Sequence, residues 1–164
     1  MQKTEAQIHS EMMDQTRKLA RYYIGKLQGV DVLKEFEVGG KKLNCVLWIL
    51  AHITWAEQSL LLKTLDGPRV DIAWMRHFRT NSNSSPQPDW PSLNEVLQSM
   101  QQVHETAMKF ISSLDDKTLD EPAYIKATDW NTDKRHVIMH AIRHEGLHIG
   151  HLTWLCKLHD IKTL

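Results

Sequence analysis

Ala141-Ile142-Arg143-His144-Glu145-Gly146-Leu147-His148-Ile149-Gly150-His151-Leu152 is the stretch that decides how this chain is to be read. It lies inside a segment that reads as one long helix, from about Asn131-Thr132 to about Asp160. Residues four apart on a helix sit about 40° apart around the axis and one turn above each other. The imidazoles of His144 and His148 can therefore reach one ion, and a zinc-like ion takes imidazole nitrogen at about 2.0 to 2.1 Å. Such an ion normally needs a third protein ligand. Five of the ten histidines (His136, His140, His144, His148 and His151) crowd into sixteen residues of this helix.

His52 is the candidate for that third ligand. It sits in Leu47-Trp48-Ile49-Leu50-Ala51-His52-Ile53, amid apolar neighbours, where a neutral imidazole leaves a ring nitrogen short of partners. Metal coordination removes that cost, and so would a hydrogen bond from a core neighbour.

Outward from these strings, four segments read as helices. The first spans about Thr4 to Leu27, with an apolar stripe expected at Ile8, Met12, Leu19, Tyr23 and Leu27. The second opens near Leu43-Asn44, with Asn44 as its expected cap, and runs to Leu65 on a stripe of Val46, Ile49, Leu50, Ile53, Ala56 and Leu60. Asp66-Gly67-Pro68 stops it. The third opens with Ser92-Leu93-Asn94-Glu95, a capping box, after Pro91, and carries Val96, Met100, Val103, Ala107, Ile111 and Leu114 inward. Between them, Gly39-Gly40 marks a connection, Asp71–Arg79 reads as a short helix, 81–86 as a polar loop, and 121–130 as extended or irregular. Helices of this length with few strand signals predict an all-α, four-helix-bundle domain over 1–164. The long connections suggest crossovers, or loops that help to build a site.

The bulk numbers narrow the class. The 164 residues suit one domain, which buries roughly two-thirds of the surface its unfolded chain exposes. Lys plus Arg equals Asp plus Glu at 20 each, so no excess of positive charge points to nucleic acid or an anionic membrane. Cys45 and Cys156, each in an apolar helical stretch, read as packed, reduced thiols. The polar start and the lack of about 18 uninterrupted apolar residues lead to the expectation of a cytoplasmic protein with no membrane partner.

Leu50-Ala51-His52-Ile53 followed by Glu57, together with the 141–152 string, resembles the signatures of the DinB-like superfamily. The resemblance covers nearly the whole chain in helix order, although only these two segments are specific. It implies a bundle of up-down-down-up type and a metal bound by one histidine of the second helix and two of the last. Those positions match His52, His144 and His148. Some DinB-like proteins are metal-dependent transferases that use low-molecular-weight thiols, and many members have no assigned activity. The expectation is one divalent transition metal (Zn, Ni or Fe) and a small-molecule substrate, with a thiol or water activated. The rival is a metal-stabilised binding protein without turnover. A homodimer is also implied. After Gly150 the family commonly has glutamine, whereas this chain has His151, which becomes a candidate for a catalytic group, a contact behind a metal ligand, or a substrate contact.

His144-Glu145-Gly146-Leu147-His148 also fits the H-E-x-x-H of zinc metalloproteases, with Glu145 as general base. That reading ranks lower, because only sixteen residues follow His148 and the longer pattern with a third histidine is absent. Glu145 remains a catalytic candidate as a proton acceptor, although its position turns it about 100° from His144; orienting a ligand histidine or packing between helices are its other roles. His140 is expected beside the site or at the surface, His104 as a satisfied core residue, and His9, His77, His136 and His159 in solvent. Trp74 and Trp130 are candidates to line a pocket.

Overall fold

The computed structural model describes residues 2–125 and 133–163. It is mostly helical, and its elements run α1 (Glu5–Lys26), β1 (Phe36–Val38), β2 (Lys41–Leu43), α2 (Val46–Glu57), a π-helical turn (Gln58–Lys63), a 3-10 turn (Ala73–Phe78), α3 (Leu93–Ser112), α4 (Asp116–Leu119) and α5 (Lys134–Leu158). The long helices pack in a closed cycle: α1 lies against α3 and α5, and α2 lies against the same two. None of the described helices is long and apolar enough to cross a membrane.

Capping chemistry sets the helix starts. Thr4 and Gln7 form a capping box on α1, and Ser92 and Glu95 form the one expected on α3. Asp133 accepts from the His136 amide at the start of α5; the expected start at Asn131-Thr132 lies outside the described residues. The helix ends at Leu158, two residues before the expected stop. On α2 the expected cap is displaced by one residue. Cys45, not Asn44, takes the extended cap position, and no side chain caps the helix.

Three further expectations are corrected by packing. The inward stripe of α1 is Ala6, Ser10, Met13, Arg17, Ala20 and Tyr23, while Ile8, Met12 and Leu19 are exposed. Size and apolarity mark the wrong face here because the centre of the cycle is filled by a guanidinium, flanked by small residues. α2 has no polar face: every residue from Val46 to Glu57 except Trp55 is buried. The π-helical turn then adds one residue to the winding, so Leu61 and Leu62 are fully buried where an unbroken helix would bury Leu60, which is only half-covered. Finally, the connection around Gly39-Gly40 is a small antiparallel hairpin, Phe36 opposite Leu43. Both glycines have positive φ, +56° and +73°, as a tight two-residue turn of this hand demands.

The core falls into two apolar clusters, one including Ala20, Ile53, Met100 and Ile149, the other Met13, Leu61, Val103 and Ala141. Along the helices, Arg17, Glu57 and Glu145 fall between the two. All three are buried. The bundle thus carries a polar layer across its middle, and the histidines of interest border it.

Candidate metal centre

α2 and α5 are neighbours, and they bring His52, His144 and His148 together. The ring centroids lie 5.2 Å apart for His52 and His144, 4.8 Å for His52 and His148, and 4.5 Å for His144 and His148. One nitrogen from each ring forms a group whose members all lie within 4.8 Å of one another. The Nε2 atoms of His144 and His148 are 3.3 Å apart. Two nitrogens bound tetrahedrally to one zinc-sized ion stand about 3.3 Å apart, from bond lengths near 2.05 Å. The spacing fits.

Each ring is oriented from behind. His52 Nδ1 lies 2.7 Å from the Phe78 carbonyl oxygen, which can only accept, so Nδ1 carries the proton and Nε2 is left as a donor atom. Trp48 stacks on the same ring at 4.7 Å with an interplanar angle of 9°. Phe78 closes the 3-10 turn, so the long connection after α2 does help to build the site, as its length suggested. His148 Nδ1 lies 3.2 Å from His151 Nδ1. With His148 Nε2 turned to the shared centre, its Nδ1 proton is donated to His151.

Electrostatics favour neutral ligands. Burial holds His144 down to about 4 and His148 down to about 3, with the neighbouring imidazoles adding to the effect. Burial also lowers His52, against the pull of the Phe78 carbonyl. Lone pairs converging in a buried place, with protonation suppressed, are what a divalent ion needs. The donor set suits the group.

Glu145 is not in this trio. Its carboxylate takes Nε of Arg17 at 2.6 Å and Nη2 at 2.9 Å, in the buried layer. The Glu57 carboxylate accepts from Arg17 Nη2 at 2.8 Å and faces His104 Nδ1 at 2.7 Å. His104 is the satisfied core residue expected, with Asp14 at 3.4 Å from its other nitrogen. His140 approaches His144 at 6.0 Å between ring centroids and stands outside the trio. His136 is exposed, as expected, and its Nδ1 is bonded to Asp133. His9, His77 and His159 are half-buried instead, and His9 Nδ1 and His159 Nε2 are buried without a hydrogen-bond partner. Trp74 packs edge-on against Phe78, not around a described cavity, and Trp130 lies outside the described residues. Both cysteines are buried and unbridged.

A cavity of about 270 Å³ has His151, Lys42, Asn44, Ile49 and Trp154 among its walls; none of the trio lines it, and His151 is its link to them. His151 therefore joins the two places: one nitrogen faces His148 and the ring borders the cavity. Phe78, which orients His52, and the buried Arg17 had no sequence motif to announce them.

The model of the DinB superfamily matches residues 12–152, from the first helix to beyond His151. The chain belongs to the DinB superfamily. The match spans all three histidines that α2 and α5 bring together, so family and geometry agree on the same part of this DinB chain. No curated protein matches it.

Proposed function

We propose that this DinB superfamily chain is a metal-dependent enzyme in which His52, His144 and His148 hold one divalent transition ion, Zn, Ni or Fe. The observation that carries the reading is the convergence of three buried or half-buried imidazoles from two neighbouring helices. An ion held by three neutral imidazoles keeps positions open to substrate and lowers the pKa of a thiol or water that reaches it. The chain's own part is to keep these rings unprotonated, to orient them from Phe78 and His151, and to hold substrate beside them. The substrate is a small molecule that reaches the centre past His151 from the 270 Å³ cavity it borders; the DinB-like family favours a low-molecular-weight thiol in a transferase, or water in a hydrolase. His151 borders both places; with its Nδ1 accepting from His148, the neutral ring keeps its Nε2–H, a donor placed to bind a reactant there.

Glu145 does not serve as general base in this reading. Both of its oxygens are committed to Arg17, which also removes the support for an H-E-x-x-H protease. The rival, an ion that ties α2 to α5 with no turnover, draws on the fact that both ligand-bearing helices belong to the core. Incubation of the metal-loaded protein with small thiols and electrophilic acceptors, alongside His148→Ala, separates the two. Metal-dependent conjugation or hydrolysis lost in His148→Ala supports the enzyme; metal binding with no turnover across both panels supports the rival.

The same reading takes residues 1–164 as one cytoplasmic domain, a four-helix bundle with up-down-down-up order. The cyclic packing of α1, α3, α2 and α5 supports the four-helix bundle. It also includes a homodimer. Ile8, Met12, Leu19 and Tyr22 make an exposed stripe on α1, and Met139, Leu147 and Trp154 make another on the adjacent α5.

A further inference from the structure

We propose that Arg17, a residue of a helix that supplies no ligand, positions the metal centre by locking the rotation of α5 against α2. The inference rests on the metal-binding reading above and assigns it a part that lies outside the histidine trio.

Arg17 is 1% exposed and touches all three other long helices. Its Nε and Nη2 hold Glu145 on α5, Nη2 holds Glu57 on α2, and Nη1 donates to the Met100 carbonyl on α3 at 3.2 Å. Glu145 follows His144 directly and precedes His148 by less than a turn. Glu57 lies five residues after His52, at the last residue of α2 before the π-helical turn. The guanidinium therefore ties together the two ligand-bearing helices, less than a turn from the ligands on α5 and about a turn and a half from the ligand on α2. His104 on α3 holds the other oxygen of Glu57 and keeps that carboxylate from swinging.

Stability alone gives no reason for this arrangement. A buried ion triad generally does no better than apolar residues of the same volume, because removing the charges from water offsets their attraction. Burial acts against the charge of Arg17 and Glu57, yet their mutual attraction keeps the guanidinium firmly charged and the Glu57 carboxyl below its usual range. What such a network does supply is direction. A planar fork bonded twice to one carboxylate fixes angle as well as distance. The need for that is set by scale: an imidazole tip lies about 6 Å from its helix axis, so a 20° turn of α5 moves it about 2 Å. Metal–ligand distances tolerate about 0.2 Å. An apolar layer of the same volume packs but carries no directional bond to fix that angle.

The test uses Arg17→Met/Glu57→Gln/Glu145→Gln, which removes the three charges of the triad together and leaves an amide oxygen facing His104, and Arg17→Lys, which keeps the cation but loses the fork. Thermal unfolding first establishes which variants fold. Two readouts follow on the full-length chain without a polyhistidine tag: Co(II) affinity with its d–d absorption spectrum, and ring-to-ring NOEs between His52 and His148 in the metal-free protein. A folded variant should bind Co(II) about 10- to 100-fold more weakly, with an altered spectrum, as loss of an orienting partner of a ligand does. The His52–His148 NOE should weaken or vanish. A folded variant with the wild-type spectrum, affinity and NOE would overturn the proposal. If wild-type protein shows the NOE yet binds no Co(II), the metal reading falls, and the NOE in the variants alone decides the role of Arg17.

Discussion

His52 donates its Nδ1 proton to the carbonyl oxygen of Phe78 across 2.7 Å, and this single bond determines which nitrogen faces His144 and His148. A backbone carbonyl has no proton to give, so the ring is held in the Nδ1–H form. Long-range proton–nitrogen correlation spectra of the metal-free protein near neutral pH should show His52 as the Nδ1–H tautomer. The Nε2–H form would remove its donor atom from the centre and contradict the arrangement.

The suppressed protonation of the trio has a consequence for stability. His144 at about 4 and His148 at about 3 lie below the 6.5 of an unperturbed histidine, chiefly through burial. Above pH 6.5 both are neutral in the folded and unfolded chains, so they contribute nothing to pH dependence. Between pH 6.5 and about 3 to 4 the unfolded chain binds the extra protons, so stability falls as pH falls. Thermal melts of metal-free protein should therefore lose several degrees from pH 7 to pH 4.5, and His144→Asn/His148→Asn should reduce that loss. An unchanged slope in the double variant would show that other groups carry it.

How far the site could be read from sequence depended on whether its logic was local. His144 and His148 lie one turn apart on one helix, so their spacing announces them, and Ser92 with Glu95 announces the start of α3 in the same way. Arg17 was not legible: its partners are 40 and 128 residues away, and only folding shows that the guanidinium faces inward. The α1 stripe misleads for the same reason, since bulky Ile8, Met12 and Leu19 point out while Ala6, Ser10 and Ala20 make room inside. The winding change after Glu57 left no trace in composition, and it alone moves the buried face from Leu60 to Leu61.

That shift in winding predicts an asymmetry between adjacent leucines. Leu61→Ala removes a fully buried side chain and should cost about 2 to 5 kcal/mol in urea unfolding. Leu60→Ala, at a half-covered position, should cost about 1 kcal/mol. The reverse order would mean that α2 continues as an unbroken α-helix.

The exposed apolar stripes on α1 and α5 predict self-association. Sedimentation velocity should show a dimer at micromolar concentration, and Leu147→Glu, at a position 61% exposed, should give a folded monomer. A wild-type monomer across that range would leave these stripes without the proposed partner.

The most direct test of the central claim is elemental analysis of untagged protein, purified and then dialysed against a mixture of zinc, nickel and iron. The prediction is about one ion per chain in the wild type, as three imidazoles around one centre require. Occupancy should fall to background in His52→Ala, His144→Ala and His148→Ala, each verified as folded. A wild type that retains no transition metal, or three variants that retain it in full, would contradict the account.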